Sequence, residues 1–267
     1  MEISTPGRIC LFGEHQDYLG LPVIAMAISL RVNITGEKRQ DRKIVIHKPD
    51  LGSKEIFSLD NLNYNYSRDY FKSGIKTCMN MGLSFEKGFE CEIKSNIPIQ
   101  AGASSSSAIV VSWINFLVQL ADKKPQWSLE KIGKLAYQTE CVEFGEPGGM
   151  MDQYVTSCGG MLLIKSEPKL SVEKIESELG SFVLGDSGEL KNTLDILDRC
   201  KTSRINIFEK IKSVTSQFDL HTCKDDLDVS YLSKKEKNLF FATLKNRNLI
   251  EKSLKELNKE KVDPIYF

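Results

Sequence analysis

The segment that most constrains this chain is Gly102-Ala103-Ser104-Ser105-Ser106-Ser107-Ala108. It is preceded by Asn96-Ile97-Pro98 and followed by an apolar run, Ala108 to Ala121, long enough for a buried helix. A glycine here lets the backbone approach a ligand closely. Four small hydroxyl residues leave their backbone N–H groups uncrowded. The helix that begins here has unsatisfied first amides and a partial positive charge at its N-terminus. Together these features make a phosphate cradle. The same residues also read as a helix cap with a serine-rich linker, because capping serines are common. The segment is not a Walker A loop, since no Gly-Lys-Ser/Thr follows.

Around this segment the first third reads as strands. Leu21 to Ile34 is rich in β-branched and apolar residues, Lys43 to His47 is a short strand, and Phe89, Cys91 and Ile93 alternate with polar residues. A helix is expected over Tyr66 to Met81. Another starts after Ser128 as N-cap, with Lys131 where a capping box would want Glu. Along it Ile132, Leu135, Ala136, Thr139 and Val142 recur at helical spacing and are expected to face the core, until Gly145 to Gly149 breaks the pattern. Gly160 to Ile164 and Phe182 to Leu184 read as buried strands. Beyond Lys191 the pattern is helical and more charged, with apolar positions such as Leu232, Leu239, Phe240, Leu244, Leu249 and Leu254. Strands first and helices later point to an α+β protein with a domain change near 145–185.

Charge excludes some functions. Lys plus Arg equals Asp plus Glu at 36 each, so no basic surface suited to nucleic acid is expected, and an anionic ligand must be held by local devices. The seven cysteines contain no C-x-x-C pair, which suggests neither a disulfide framework nor a zinc site. No apolar run reaches the roughly 20 residues that cross a membrane, and Thr5-Pro6-Gly7-Arg8 interrupts any signal-like start. A reducing, cytoplasmic location is expected.

Two further segments carry chemistry. Pro6-Gly7-Arg8-Ile9-Cys10-Leu11-Phe12-Gly13-Glu14-His15-Gln16-Asp17-Tyr18-Leu19-Gly20 places Arg, Glu, His and Asp close together between glycines. Arg offers a fork of donors, and the carboxylates accept from hydroxyls, a set that suits a polyol. Composition alone favours an N-terminal hairpin with solvated charges. Gly145-Glu146-Pro147-Gly148-Gly149-Met150-Met151-Asp152-Gln153 puts one carboxylate behind a tight turn. Asp152 there is either a helix cap or, beside a phosphate cradle and an arginine, a base.

The three segments, in this order, resemble the GHMP kinases. PGRICLFGEHQDYLG is similar to the galactokinase form of the first motif, PGRxNLxGEHxDYxxG. IPIQAGASSSSAIVV is similar to the phosphate loop, and GEPGGMMDQ to the galactokinase segment that carries the catalytic aspartate. The resemblance implies a GHMP kinase fold: an N-terminal α/β domain (ribosomal protein S5 domain 2-like) with a left-handed β-α-β crossover, then a ferredoxin-like α+β C-terminal domain. On that basis residues 1–165 and 166–267 are expected to be the two domains, with the second incomplete.

The resemblance also implies roles. Asp152 would abstract or position the proton of a sugar hydroxyl. Arg8 would keep Asp152 ionised and stabilise charge on the transferring phosphoryl group. Glu14, His15 and Asp17, with Arg8, would hold sugar hydroxyls. Gly102, Ala103, Ser104, Ser105, Ser106 and Ser107 would wrap the phosphates of ATP. Ser106 and Glu140 would hold Mg²⁺, which usually takes only one or two carboxylates. The implied enzyme is an ATP-dependent sugar kinase, in which catalysis is positioning plus electrostatics.

The chain departs from that pattern at several points. Cys10 stands where galactokinases usually have Asn, Ala103 replaces Leu, and Ser107-Ala108 replaces Ala-Ser, which brings the loop close to that of glucuronokinase-like relatives. After Gly185-Asp186-Ser187-Gly188, galactokinases carry a His and a sugar-contacting Tyr, whereas Lys191 to Arg204 has neither. The family's third, glycine-rich motif is absent near 230–260, so a partner or further segment is expected to cover the second domain. Galactose, an N-acetylated hexosamine, L-arabinose and a uronic acid stay open as acceptors. So do an isoprenoid acceptor such as mevalonate and a non-catalytic regulator that binds sugar and ATP.

Overall fold

The computed structural model describes residues 1–177, 179–185, 188, 193–259 and 262, with Thr193 described by its backbone alone. Seven strands form one mixed sheet. They are β1 (Glu2–Phe12), β2 (Val23–Lys38), β3 (Lys43–Lys48), β4 (Ser53–Ser58), β5 (Phe89–Ser95), β6 (Met161–Lys165) and β7 (Ser171–Ile175). The order is β4-β3-β5-β2-β6-β7, with β1 also paired to β2. β3 and β5 are parallel, and every other pair is antiparallel. The β-branched content of β2 suits a long, twisted strand that organises the sheet: its first half pairs with β6, its second half with β5, and β1 runs along it.

Six helices complete the described residues: α1 (Tyr70–Asn80), α2 (Ser105–Leu120), α3 (Leu129–Tyr137), α4 (Met151–Cys158), α5 (Thr193–Val214) and α6 (Lys234–Leu257). α2 is apolar on nearly all sides because it is buried on nearly all sides, including Val110, Ile114, Phe116 and Leu117. Trp113 anchors it. Its ring lies 5.0 Å from Phe71, 5.6 Å from Phe89 and 5.9 Å from Phe116, and its indole N–H donates to Phe71 O at 2.9 Å. This packing fixes where the N-terminus of α2 points. α5 and α6 share a separate core of Ile207, Phe208, Ile211, Phe240 and Leu244, joined by Leu21.

Three expectations need correction or trimming. α1 begins at Tyr70, not Tyr66, because Arg68 sits at φ 66° and the Asp69 side chain caps Lys72 N at 3.4 Å. The helix after Ser128 gives way at Gln138–Val142 to a π-helical turn. The extra residue per turn rotates Thr139, Glu140 and Cys141 inward and leaves Val142 59% exposed instead of facing the core. Phe182 to Leu184 is not a buried strand: it is irregular, and Val183 is 97% exposed. The N-terminal motif begins as a strand, β1. Beyond 165 the described residues contribute β7, whose Ser171 pairs with Lys165, and the two long helices. Asp186, Ser187 and Lys191 lie outside the described residues.

Candidate active site

Arg8 is the hub. The β1–β2 register shifts between Pro6 and Arg8, where proline has no N–H to donate and a bulge forms. Gly7 occupies that bulge. A Cβ on it would lie 2.8 Å from Ala103 O, so only glycine lets the serine loop dock this closely. Arg8 N then donates to Ala103 O at 3.2 Å. The Arg8 guanidinium is buried and held at all three nitrogens: Nη1 donates to Gly102 O (2.7 Å), Nε to Asp152 Oδ1 (2.8 Å), and Nη2 lies 2.7 Å from that same oxygen. Burial opposes its charge, but the carboxylates of Asp152 and Glu14 outweigh burial and push its pKa up.

The serine loop ends in a strained cap. Ser104 holds φ 60°, ψ 41°, and α2 starts at Ser105. The amides of Ser105, Ser106 and Ser107 therefore open the helix without intrahelical acceptors. Beneath them lies Glu140, 3% exposed on the π-helical turn. Burial raises its pKa, against hydrogen bonds from Gln153, Ser106 and Ser107 that favour the carboxylate. Gln153 Nε2 donates to Glu140 Oε2 at 2.7 Å. Buried Thr139 Oγ1 and Gln153 Oε1 have no protein partner. A carboxylate and hydroxyls in this arrangement form an all-oxygen donor set of the kind Mg²⁺ takes, with phosphate and water completing its shell.

Asp152 lies in the first turn of α4, with 29% of its side chain exposed. Asp17 reaches the same place from the short helical turn Asp17–Leu19. Its Oδ2 accepts from Met151 N (3.2 Å) and its Oδ1 from Tyr18 N (2.9 Å). A Cβ on Gly149 would lie 1.9 Å from Asp17 Oδ2, which explains the glycine before α4. Burial and then the nearby Asp152 charge push the Asp17 pKa up to about 6, against those two backbone hydrogen bonds. His15, at φ 61°, has its ring 6.1 Å from Tyr18, and Glu14 is half exposed.

These residues line two adjoining cavities. The larger, about 690 Å³, runs from the serine loop between apolar walls that include Phe71, Ile93, Ile97 and Ile109. The smaller, about 100 Å³, holds Glu14, His15, Asp17 and Glu140. Arg8, Arg68, Ser106, Asp152 and Leu194 line both. Among the described residues, the four non-glycine residues at positive φ are His15, Arg68, Gln100 and Ser104, and each lines one or both cavities. Backbone strain of this kind gathers where a site must be held open.

The structure thus brings together Arg8, Asp152, Glu14, His15, Asp17, Glu140, Gly102 and Ser104 through Ser107. It does not bring Ala103 to a cavity: that residue is buried, and its carbonyl serves β1. Cys10 packs beside β2 with its thiol donating to Phe12 O and Ile24 O, and burial pushes its pKa up, so it is a structural thiol. Sequence reasoning assigned no role to Arg68, Glu146, Tyr18 or Gln153; the last three lie inside the quoted segments, whereas Arg68 lies in none.

Comparison with known proteins agrees with this geometry. Residues 69–160 match the GHMP kinases N terminal domain, and residues 2–38 match the Galactokinase galactose-binding signature. A galactokinase from Clostridium beijerinckii is 28% identical over 232 residues, which are 81% of this chain and 58% of that protein. A mevalonate kinase from Pyrococcus abyssi is 28% identical over 256 residues, 92% of this chain and 74% of its own. The fold resembles that of Lactococcus lactis galactokinase complexed with galactose, with a TM-score of 0.74, 21% identity, and coverage of 96% of this chain and 69% of the other. The chain therefore carries a GHMP kinase N-terminal domain and a galactokinase galactose-binding signature. The chain is galactokinase-like by that signature, which spans β1 and β2. It covers only 58% of the length of the C. beijerinckii galactokinase.

Proposed function

We propose that this chain is an ATP-dependent sugar kinase that transfers the γ-phosphoryl group to a sugar hydroxyl, the anomeric C1-OH of galactose or a related neutral sugar. The observation that carries this reading is the Arg8–Asp152 pair at the junction of two cavities, beside the N-terminus of α2. In this reading the larger cavity takes the nucleoside and the smaller takes the acceptor. Asp152 accepts or orients the acceptor hydroxyl proton. Arg8 fixes Asp152 and faces the phosphoryl group, and the amides of Ser105 to Ser107 hold its oxygens. Ser106 and Glu140 would hold Mg²⁺, which neutralises charge on the phosphates.

A neutral acceptor is favoured over mevalonate or a uronic acid. Glu14, Asp17 and Asp152 already crowd the small cavity, and the raised pKa of Asp17 reflects its burial and then the Asp152 charge beside it. A carboxylate acceptor would add to that repulsion. The domains proposed are 1–165 and 166–267. Among the described residues no helix is long and apolar enough to cross a membrane, and a cytoplasmic setting is part of the proposal. So is a partner or further segment over the second part, where exposed Phe182 and Leu184 flank Val183.

The reading is tested by incubating the chain with MgATP and galactose and following phosphorus resonances. A sugar-1-phosphate signal supports it. Phosphorylation of mevalonate, with none of any neutral sugar, would replace it with the isoprenoid reading.

A further inference from the structure

We propose that Arg68 is a nucleotide-phosphate ligand held in reserve by Glu146, and that nucleotide binding draws its guanidinium from Glu146 to the phosphates. This rests on the kinase reading of the two cavities.

Arg68 lies just ahead of α1, and its side chain lines both cavities beside Ser106 and Asp152. Three cations border the larger cavity. Arg8 is spent on Asp152 and Gly102 O, with 9% of its side chain exposed. Lys48 is paired with Glu55 and 19% exposed. Arg68 is 39% exposed and so is the most accessible of the three. A polyphosphate resting on the amides of α2 needs positive charge, and the other two cations are themselves more buried than Arg68.

The present partner of Arg68 belongs to the other cavity. Nε lies 2.6 Å from Glu146 Oε1 and 2.5 Å from Tyr70 OH, and Nη2 lies 3.3 Å from Glu146 Oε2. Glu146 is only 10% exposed and begins the Glu146 to Gly149 turn against which Asp17 packs. It would not be orphaned if Arg68 left, because Tyr70 OH also donates to Glu146 Oε1 at 3.0 Å. The backbone of Arg68 is held at φ 66°, a conformation that non-glycine residues hold at a cost. One guanidinium thus stands between two anionic groups, one fixed and one arriving with the nucleotide. Its departure also frees the turn beside an acceptor cavity of about 100 Å³, small against the usual 300–1,000 Å³ of a ligand site.

The two halves of the ion pair make opposite predictions. Calorimetric titration of the 267-residue chain, Arg68→Gln and Glu146→Gln would use MgADP and, separately, adenosine. Arg68→Gln should weaken MgADP about tenfold, the scale of one lost charge-assisted contact. Glu146→Gln keeps the partner of Tyr70 but not the charge that holds Arg68, and should tighten MgADP by about threefold or more. Adenosine, which lacks phosphates, should change by less than about twofold in either. Glu146→Gln binding MgADP no tighter than the unaltered chain would overturn the proposal, as would adenosine moving in step with MgADP, because the cluster would then only shape the wall. An unaltered chain that binds neither ligand would overturn the kinase reading itself, and this inference with it.

Discussion

Arg8 and Asp152 lie 144 residues apart in the chain, yet Arg8 Nε and Nη2 converge on a single Asp152 oxygen at 2.8 and 2.7 Å. In the proposed reaction the other Asp152 oxygen meets the acceptor hydroxyl. Asp152→Asn keeps the shape and loses the charge. Turnover should fall by about 10²–10⁴-fold while MgATP affinity stays nearly unchanged. Steady-state rates beside calorimetric MgATP binding check this, and unchanged turnover would remove Asp152 from the reaction.

Ser106 borders both cavities and approaches Glu140. Ser106→Ala should weaken MgATP more than the sugar. Separate binding titrations of the two ligands decide the matter, and equal losses would mean that the loop had been disturbed as a whole.

Asp17 gives a pH signature. Its folded-state pKa is raised from 3.8 to about 6, so between those values the folded protein binds more protons than the unfolded chain. Stability contributed by this group therefore falls as pH rises from about 4 to about 6, by at most about 3 kcal/mol, and is level above that. Asp17→Asn removes this slope, so the stability of the variant relative to the unaltered chain should rise across the window. Urea denaturation of both at pH 4.5 and 7.5 measures it. A difference that does not change with pH would place Asp17 in a more solvated setting.

Gly149→Ala should act on the acceptor side. The added methyl would meet the Asp17 carboxylate at 1.9 Å and force it away from Met151 N. The expected result is a destabilisation of about 1–3 kcal/mol, with the sugar KM raised more than the ATP KM. A variant with ordinary sugar KM would show that Asp17 does not hold the acceptor.

Much of this was legible because the chemistry sits in short contiguous segments. Gly102 to Ser107 could be read from glycine and serine beside an apolar run, and the structure puts the start of α2 at Ser105. β2, β3 and β5 followed from β-branched content and alternation. Glu140 was reached only through resemblance, because its inward position depends on a π-helical turn that breaks the 3.6-residue period just where that period misplaced Val142. β1 was not marked by its composition, because Pro6 and Gly7 sit on a bulged strand. Arg68 lies in no motif, and it meets Glu146 of the Gly145–Gln153 segment across 78 residues. Val183 shows the opposite failure, since an apolar triplet has strand composition whether or not anything covers it.

The most direct test of the account is ADP release from MgATP over a panel of neutral sugars, run side by side on the unaltered chain and Asp152→Asn. The account predicts sugar-dependent release by the first that is nearly abolished in the second. ATP binding without release for any sugar would contradict it and leave a nucleotide- and sugar-binding protein without kinase activity.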